Sequence, residues 1–254
     1  MILKGLDCRG KAAKTAIFGT LLLLFLGKAN AENSDTDGKD THTRVITTPS
    51  TTSEVSVGIG KKFVRRLYES CDLNISYLDV PAARAVMMAE KSQSDGELAR
   101  IPMAVKENAP LLRLDVAIAD ARLVPLFRNK ESAEAFAGLT GQRIGFLNGY
   151  RMIAAVLPED STQVATSDTF QLVSLLNRQR IDVALTLEWD ALAAQHHNPE
   201  LVIGEPLLES PLYHWVHESR KGDIPCLSDS LEEMRSGGEF QRMIQEGIKS
   251  EWPE

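Results

Sequence analysis

The chain has 254 residues, 43% of them hydrophobic, and a formal net charge of −7. That acidic balance argues against a nucleic-acid surface, which would be basic, and favours solubility without selecting a fold.

The first segment has the three regions of a secretory signal. Lys4, Arg9, Lys11 and Lys14 are a positive start, Ala16 to Gly27 is an apolar run, and Ala29-Asn30-Ala31 is a small-x-small cleavage site. The run is short of the ~20 residues that span a bilayer as a helix, so a cleaved signal is expected in preference to an uncleaved anchor. Cys8 precedes the apolar run and is not a lipid-modified residue at the cleavage site. The mature chain is expected to begin near Glu32, in the periplasm. Residues 1–31 hold five bases (Lys4, Arg9, Lys11, Lys14, Lys28) and one acid (Asp7), so their removal takes the net charge from −7 to −11. The remaining roughly 220 residues can bury one large core or two moderate ones. No later segment is apolar for long enough to cross a membrane.

Residues 32–43 are polar and without periodicity, and read as a disordered leader. Arg44 to Thr48 is β-rich and stopped by Pro49, and Ser50 to Ser53 is a hydroxyl-rich loop. From Val57 the apolar residues Ile59, Phe63, Val64 and Leu67 have helical spacing. Val55 to Ile59 is an alternative first strand; Arg44 to Thr48 is preferred because Gly58 and Gly60 then fall at a helix start. Ile75 to Val80 reads as a strand, and Pro81 opens a helix that runs to about Lys91. Leu111 to Leu126 is extended, with a break near Asp120. A helix is expected from Glu131 to Leu139 and a strand from Arg143 to Leu147. Ser167 can cap a helix through Asn177, ahead of a buried strand, Ile181 to Leu185. Pro211 to His217 is a further strand. Ser230-Leu231-Glu232-Glu233 has a capping-box pattern, Gly237-Gly238 ends that helix, and Phe240, Met243, Ile244 and Ile248 stripe the last one.

Strands alternating with helices argue an α/β fold with mostly parallel sheet. The order suits two lobes joined by two crossings: residues 44–125 begin the first, 126–206 form the second, and 207–254 return to the first. Periodicity alone does not exclude one larger sheet. Cys71 and Cys226 fit no zinc or redox spacing, and a disulfide and two buried thiols both remain open. His196-His197 reads as a solvated pair in a polar loop. His214 and His217, three apart on a strand, have rings on opposite faces and are poorly placed to share an ion. No nucleophile elbow, zinc-protease helix or phosphate loop is present, and Gly58-Ile59-Gly60 lacks the third glycine of a dinucleotide fingerprint. No cofactor or metal is expected.

Several segments resemble the bacterial extracellular solute-binding proteins of family 3, and more narrowly their short, divergent members. These are Leu78-Asp79-Val80-Pro81-Ala82-Ala83-Arg84-Ala85 and Asp95-Gly96-Glu97-Leu98-Ala99-Arg100-Ile101, followed by Leu139 to Gly149, Arg180-Ile181-Asp182-Val183-Ala184 and Pro211 to His214. Together they span roughly residues 44–250. The resemblance implies a periplasmic-binding-protein (Venus-flytrap) fold, each lobe a mostly parallel sheet flanked by helices, closing on a small carboxylate-bearing, amino-acid-like solute. It also implies an inner-membrane transporter or sensor as partner, a monomeric chain and no catalysis. A dehydratase-like enzyme with Glu97 and Glu188 as acid and base, or a receptor without a transport role, is the alternative. The same topology brings Cys71 and Cys226 into one lobe, where they can pair.

The resemblance directs attention to Arg100 as the fork for a ligand carboxylate, with Arg84 and Glu97 nearby and Thr51 and Thr52 in the hydroxyl loop. In the second lobe it points to Gly149, Tyr150 and Arg151. Family members that bind amino acids carry an acid a few residues after the Arg180–Ala184 motif. Leu187 occupies that position here, with Glu188 and Trp189 next, which puts an α-amino acid in doubt. Glu188 can serve if the loop is shifted, and Trp189 can offer a cation-binding face. Asp182 reads as structural.

Overall fold

The computed structural model describes residues 42–50 and 54–249. The expected signal segment, residues 32–41 of the expected leader, residues 51–53 with Thr51 and Thr52, and the chain end lie outside the described residues.

Two β-α units and a third strand open the fold. Strand β1 (Arg44–Pro49) leads to helix α1 (Glu54–Glu69), then β2 (Ile75–Val80), α2 (Ala82–Glu90) and β3 (Gly96–Arg100). Strand β1 runs parallel to both β2 and β3, as strands joined by crossover helices must. It is covered on both faces, and so even its polar residues are buried. The Thr47 hydroxyl is hydrogen-bonded to the carbonyl oxygens of Ala85 and Gly96, which offsets its loss of water. Phe63, Val64, Leu67 and Tyr68 turn one face of α1 onto Ile46 and Leu98. The C-terminal helices α7 (Ile224–Ser236) and α8 (Glu239–Ile248) return to the same core through Leu227, Leu231 and Phe240. Gly96 must be glycine, because a Cβ there would lie 2.5 Å from the Trp215 carbonyl oxygen.

The chain then runs through β4 (Leu111–Arg113), β5 (Ala119–Phe127), α3 (Lys130–Glu134), β6 (Arg143–Leu147), α4 (Arg151–Ala154), β7 (Thr162–Thr166) and α5 (Thr169–Asn177). Strand β8 (Val183–Leu187), α6 (Glu188–His197), β9 (Val202–Ile203) and β10 (Leu208–His217) complete it. Strand β6 is parallel to β7 and β8, and β5 runs antiparallel to β8 and β9. All five residues of β8 are buried, which is why it reads as an unbroken apolar run. Strand β10 joins the halves: Leu208 to Leu212 pair with β5, and the residues from Tyr213 onward pair with β3 and β4. The ladder is continuous in the order β2-β1-β3-β10-β5-β8-β6-β7.

Several local expectations are corrected. The break in the long extended segment falls between β4 and β5, and Asp120 lies inside β5. Helix α1 begins at Glu54, so Val55 to Ile59 is helical and Gly58 and Gly60 are interior to the helix. Helix α3 stops at Glu134, held at its start by an Asn129–Ser132 capping box. Asp168, not Ser167, caps α5 by accepting from the Gln171 amide. Ser230 lies inside α7, whose first turn holds Pro225 instead. His196 and His197 close α6 and are not in a loop. Among the described residues no helix is long and apolar enough to cross a membrane.

Cys71, just past α1, is disulfide-bonded to Cys226 in α7, with their Cα atoms 6.0 Å apart and a sequence separation of 155. Asp182 pairs with Arg143, accepting from its backbone amide and its Nε at 2.8 and 3.0 Å, and so ties the start of β6 to the approach to β8.

Candidate functional site

A cavity of about 820 Å³ opens between the two halves of the sheet. The first half contributes the N-terminal turns of α1, one face of α2 and the end of β3; the second contributes the turn after β6, the start of α4 and the start of α6. Ends of parallel strands and the helix starts beside them make such concavities. Gly149, at φ +98°, turns the chain from β6 into α4 in a conformation that disfavours any side chain.

Arg100 is placed by a β-bulge. Arg100 pairs with Tyr213 and Glu97 with Trp215, so β3 has one residue more than β10 over the same span. Residues three apart on a regular strand point to opposite faces; the extra residue lets Glu97 and Arg100 meet, with Nη2 2.9 Å from Glu97 Oε1. The same Nη2 donates to the Ala82 carbonyl oxygen, while Arg100 Nε is buried without a hydrogen-bond partner. Glu97 is almost wholly enclosed. Burial pushes its carboxyl up to about 7, against the opposing pull of Arg100.

A second polar cluster crosses between the halves. The Ser56 hydroxyl of α1 donates to Asp190 of α6 and accepts from Trp189 Nε1 at 2.5 Å. The Tyr150 hydroxyl donates to the other Asp190 oxygen at 3.4 Å. Crowding around that hydroxyl and the negative charge of Asp190 hold Tyr150 well above the ordinary phenol range. The Trp189 ring packs edge-on against Phe240 of α8, 6.2 Å between centroids.

Arg100, Gly149, Tyr150, Arg151 and Trp189 therefore meet at one cavity. Among the described residues the other candidates, Arg84, Glu97 and Glu188, do not line it. Arg84 is exposed on α2, although Ala82, Ala83, Val86 and Met87 of that helix do line it. Glu97 stands behind Arg100, and Glu188 is on the outside, 3.5 Å from Arg122, so these two carboxylates do not face each other across the cavity as an acid and a base. Ser56 and Asp190 escape the sequence reading. The helical pattern begins one residue after Ser56, and the search for an acid stops at Trp189, one residue short of Asp190.

No protein-family model matches the chain, and no curated protein matches it in sequence. Solved structures match its shape. The GluR0 ligand-binding core in complex with L-glutamate is 10% identical at a TM-score of 0.70, over 82% of this chain and 99% of that one. An amino acid ABC transporter substrate-binding protein, AbpA from Streptococcus pneumoniae, bound to L-arginine, is 12% identical at 0.64, over 81% and 94%. A mutant of ArgBP from T. maritima is 15% identical at 0.64, over 81% and 96%. The fold is thus the two-lobed periplasmic-binding-protein fold.

Proposed function

We propose that this protein is an exported solute-binding protein that captures a small carboxylate-bearing ligand between its lobes, for transport or sensing. The observation that carries the reading is that Arg100, from one half of the sheet, lines the same cavity as Gly149, Tyr150 and Arg151, from the other. A guanidinium fork can grip a carboxylate with two parallel hydrogen bonds, and enclosure between lobes strengthens that grip. The neighbours in shape support it, since those with a ligand in their names hold amino acids. In this reading residues 44–125 and 207–254 make one lobe and 126–206 the other, with β5 and β10 as the crossings. The chain works in the periplasm as a monomer, and its partner beyond the solute is an inner-membrane transporter or sensor. It performs no chemistry on the solute.

A thermal-shift screen of small metabolites tests this. Ligand at a hundred times its dissociation constant stabilises the folded form by about 2.7 kcal/mol, which such a screen detects. Arg100→Ala should abolish most of the shift while leaving the fold intact. Unfolding of that variant would make Arg100 structural, and unchanged binding would make it a bystander. Conversion of the bound molecule would replace the reading by an enzymatic one.

A further inference from the structure

The charges that line the cavity are one-sided. Arg100, Arg151 and Lys106 line it, whereas Glu90 is the one acid among the described side chains that does so. Glu90 is already ion-paired with Lys106 at 3.0 Å. The two acids lying deeper are outside the lining and engaged: Glu97 faces Arg100 from behind, and Asp190 accepts from Ser56 and Tyr150. Among the described residues, the two hydroxyl side chains that line the cavity, Ser56 and Tyr150, are therefore turned toward Asp190. An ammonium group enclosed here would leave water without an unengaged carboxylate to receive it, which is costly in an apolar site. A carboxylate would meet Arg100, whose Nε is without a partner and whose side chain is nine-tenths buried.

Beside the amides of Asn148 and Gln163, the remaining lining is mostly hydrocarbon, with Ile59, Val86, Ile101, Phe146, Met152 and Trp189 among it. At about 820 Å³ the cavity lies toward the upper end of ligand pockets, with room for a body much larger than a short polar side chain. Its polar side chains are a minority of the lining.

Building on the solute-binding reading above, we propose that the ligand is an apolar monocarboxylate without an α-ammonium group, an aryl- or branched-alkyl alkanoate. Its carboxylate sits on Arg100, and its hydrocarbon body lies against Ile59, Ile101, Phe146 and Trp189. The site selects against amino acids because each acid at or beside it is already engaged, Glu90 by Lys106, Glu97 by Arg100 and Asp190 by Ser56 and Tyr150.

Matched pairs that differ only in the amino group test this on the unaltered mature protein. Hydrocinnamate is compared with L-phenylalanine, and isocaproate with L-leucine, by isothermal titration calorimetry. In each pair the acid without the amino group should bind at least about tenfold more tightly, the penalty of an uncompensated ammonium. Arg100→Gln should weaken hydrocinnamate by about tenfold or more. Equal or tighter binding of the amino acid in either pair overturns the ligand class and leaves the solute-binding reading standing. If no member of either pair binds, the class is overturned too, and the metabolite screen decides the broader reading separately. Unchanged hydrocinnamate affinity in folded Arg100→Gln overturns the placement on Arg100. Should that variant fail to fold, the paired comparison on the parent protein decides.

Discussion

Glu97 and Arg100 stand three residues apart on one strand yet face each other, because β3 carries one more residue than β10 between their paired positions. The pair is enclosed, neither Glu97 oxygen accepts a hydrogen bond of ordinary geometry, and its arginine borders the cavity. Its protonation should therefore affect stability and, in the proposed reading, binding.

The stability effect has a definite sign. Burial raises Glu97 from 4.5 to about 7, so the folded chain keeps a proton that the unfolded chain releases. That contribution is full below pH 4.5 and is lost as the pH rises through 7. His214 acts the other way. Its Nδ1 meets the Leu98 carbonyl oxygen and its Nε2 the Tyr68 hydroxyl, and burial lowers it from 6.5 to about 4. Its contribution is present above pH 6.5 and lost as the pH falls through 4. Between pH 4.5 and 6.5 the two slopes, each about 1.4 kcal/mol per unit, oppose each other. Glu97→Gln removes one of them. Urea unfolding of that variant should show a loss of about 2–3 kcal/mol from pH 6.5 to 4.5, where the parent is nearly flat. A variant with the same pH slope as the parent would mean that Glu97 is charged throughout.

The disulfide closes a long loop, and reducing it should destabilise the protein by about 2–5 kcal/mol. The check is a count of free thiols in the denatured, unreduced mature protein, followed by unfolding with and without reductant. Two free thiols would contradict the bond.

Ser56 ties α1 to α6 through two hydrogen bonds at once. Ser56→Ala strands the buried Trp189 N–H and removes one donor from Asp190, which should cost about 1–3 kcal/mol in urea unfolding. Ser56→Thr keeps the hydroxyl and should recover part of that loss. Equal stability of the alanine variant and the parent would show that the contact carries nothing.

Much of this architecture is legible because local signals coincide with element ends. Pro49 ends β1, Pro81 opens α2, and Gly237-Gly238 separates α7 from α8. The site is less legible because its placement depends on register and on a boundary. The bulge that turns Arg100 toward Glu97 exists only relative to β10, more than a hundred residues further along the chain. Asp190 is hidden because β8 continues to Leu187, two residues past the expected end, so α6 starts at Glu188 and its third residue turns inward. Alternation within either segment contains no trace of these facts. The hydroxyl pair Thr51 and Thr52 falls outside the described residues.

The last prediction joins the Glu97–Arg100 pair to ligand binding. A ligand carboxylate arriving at Arg100 would place a second negative charge beside Glu97, around one guanidinium in a poorly hydrated site. Two carboxylates so close disfavour joint ionisation, so the ligand should bind best when Glu97 is protonated. Linkage then requires that binding take up a proton wherever free Glu97 is ionised, above a pH of about 7. Affinity for hydrocinnamate should be nearly constant between about pH 6 and 7 and fall toward about tenfold per unit above that. Calorimetry in two buffers of different ionisation enthalpy should detect uptake approaching one proton at pH 8.5. Glu97→Gln mimics the protonated side chain, so its affinity should hold at the parent's low-pH value and its binding should be free of proton uptake. A parent protein with equal affinity at pH 6 and 8.5 and no proton uptake would place the ligand's charge away from Arg100. Proton uptake that persists in Glu97→Gln would assign the linkage to a different group.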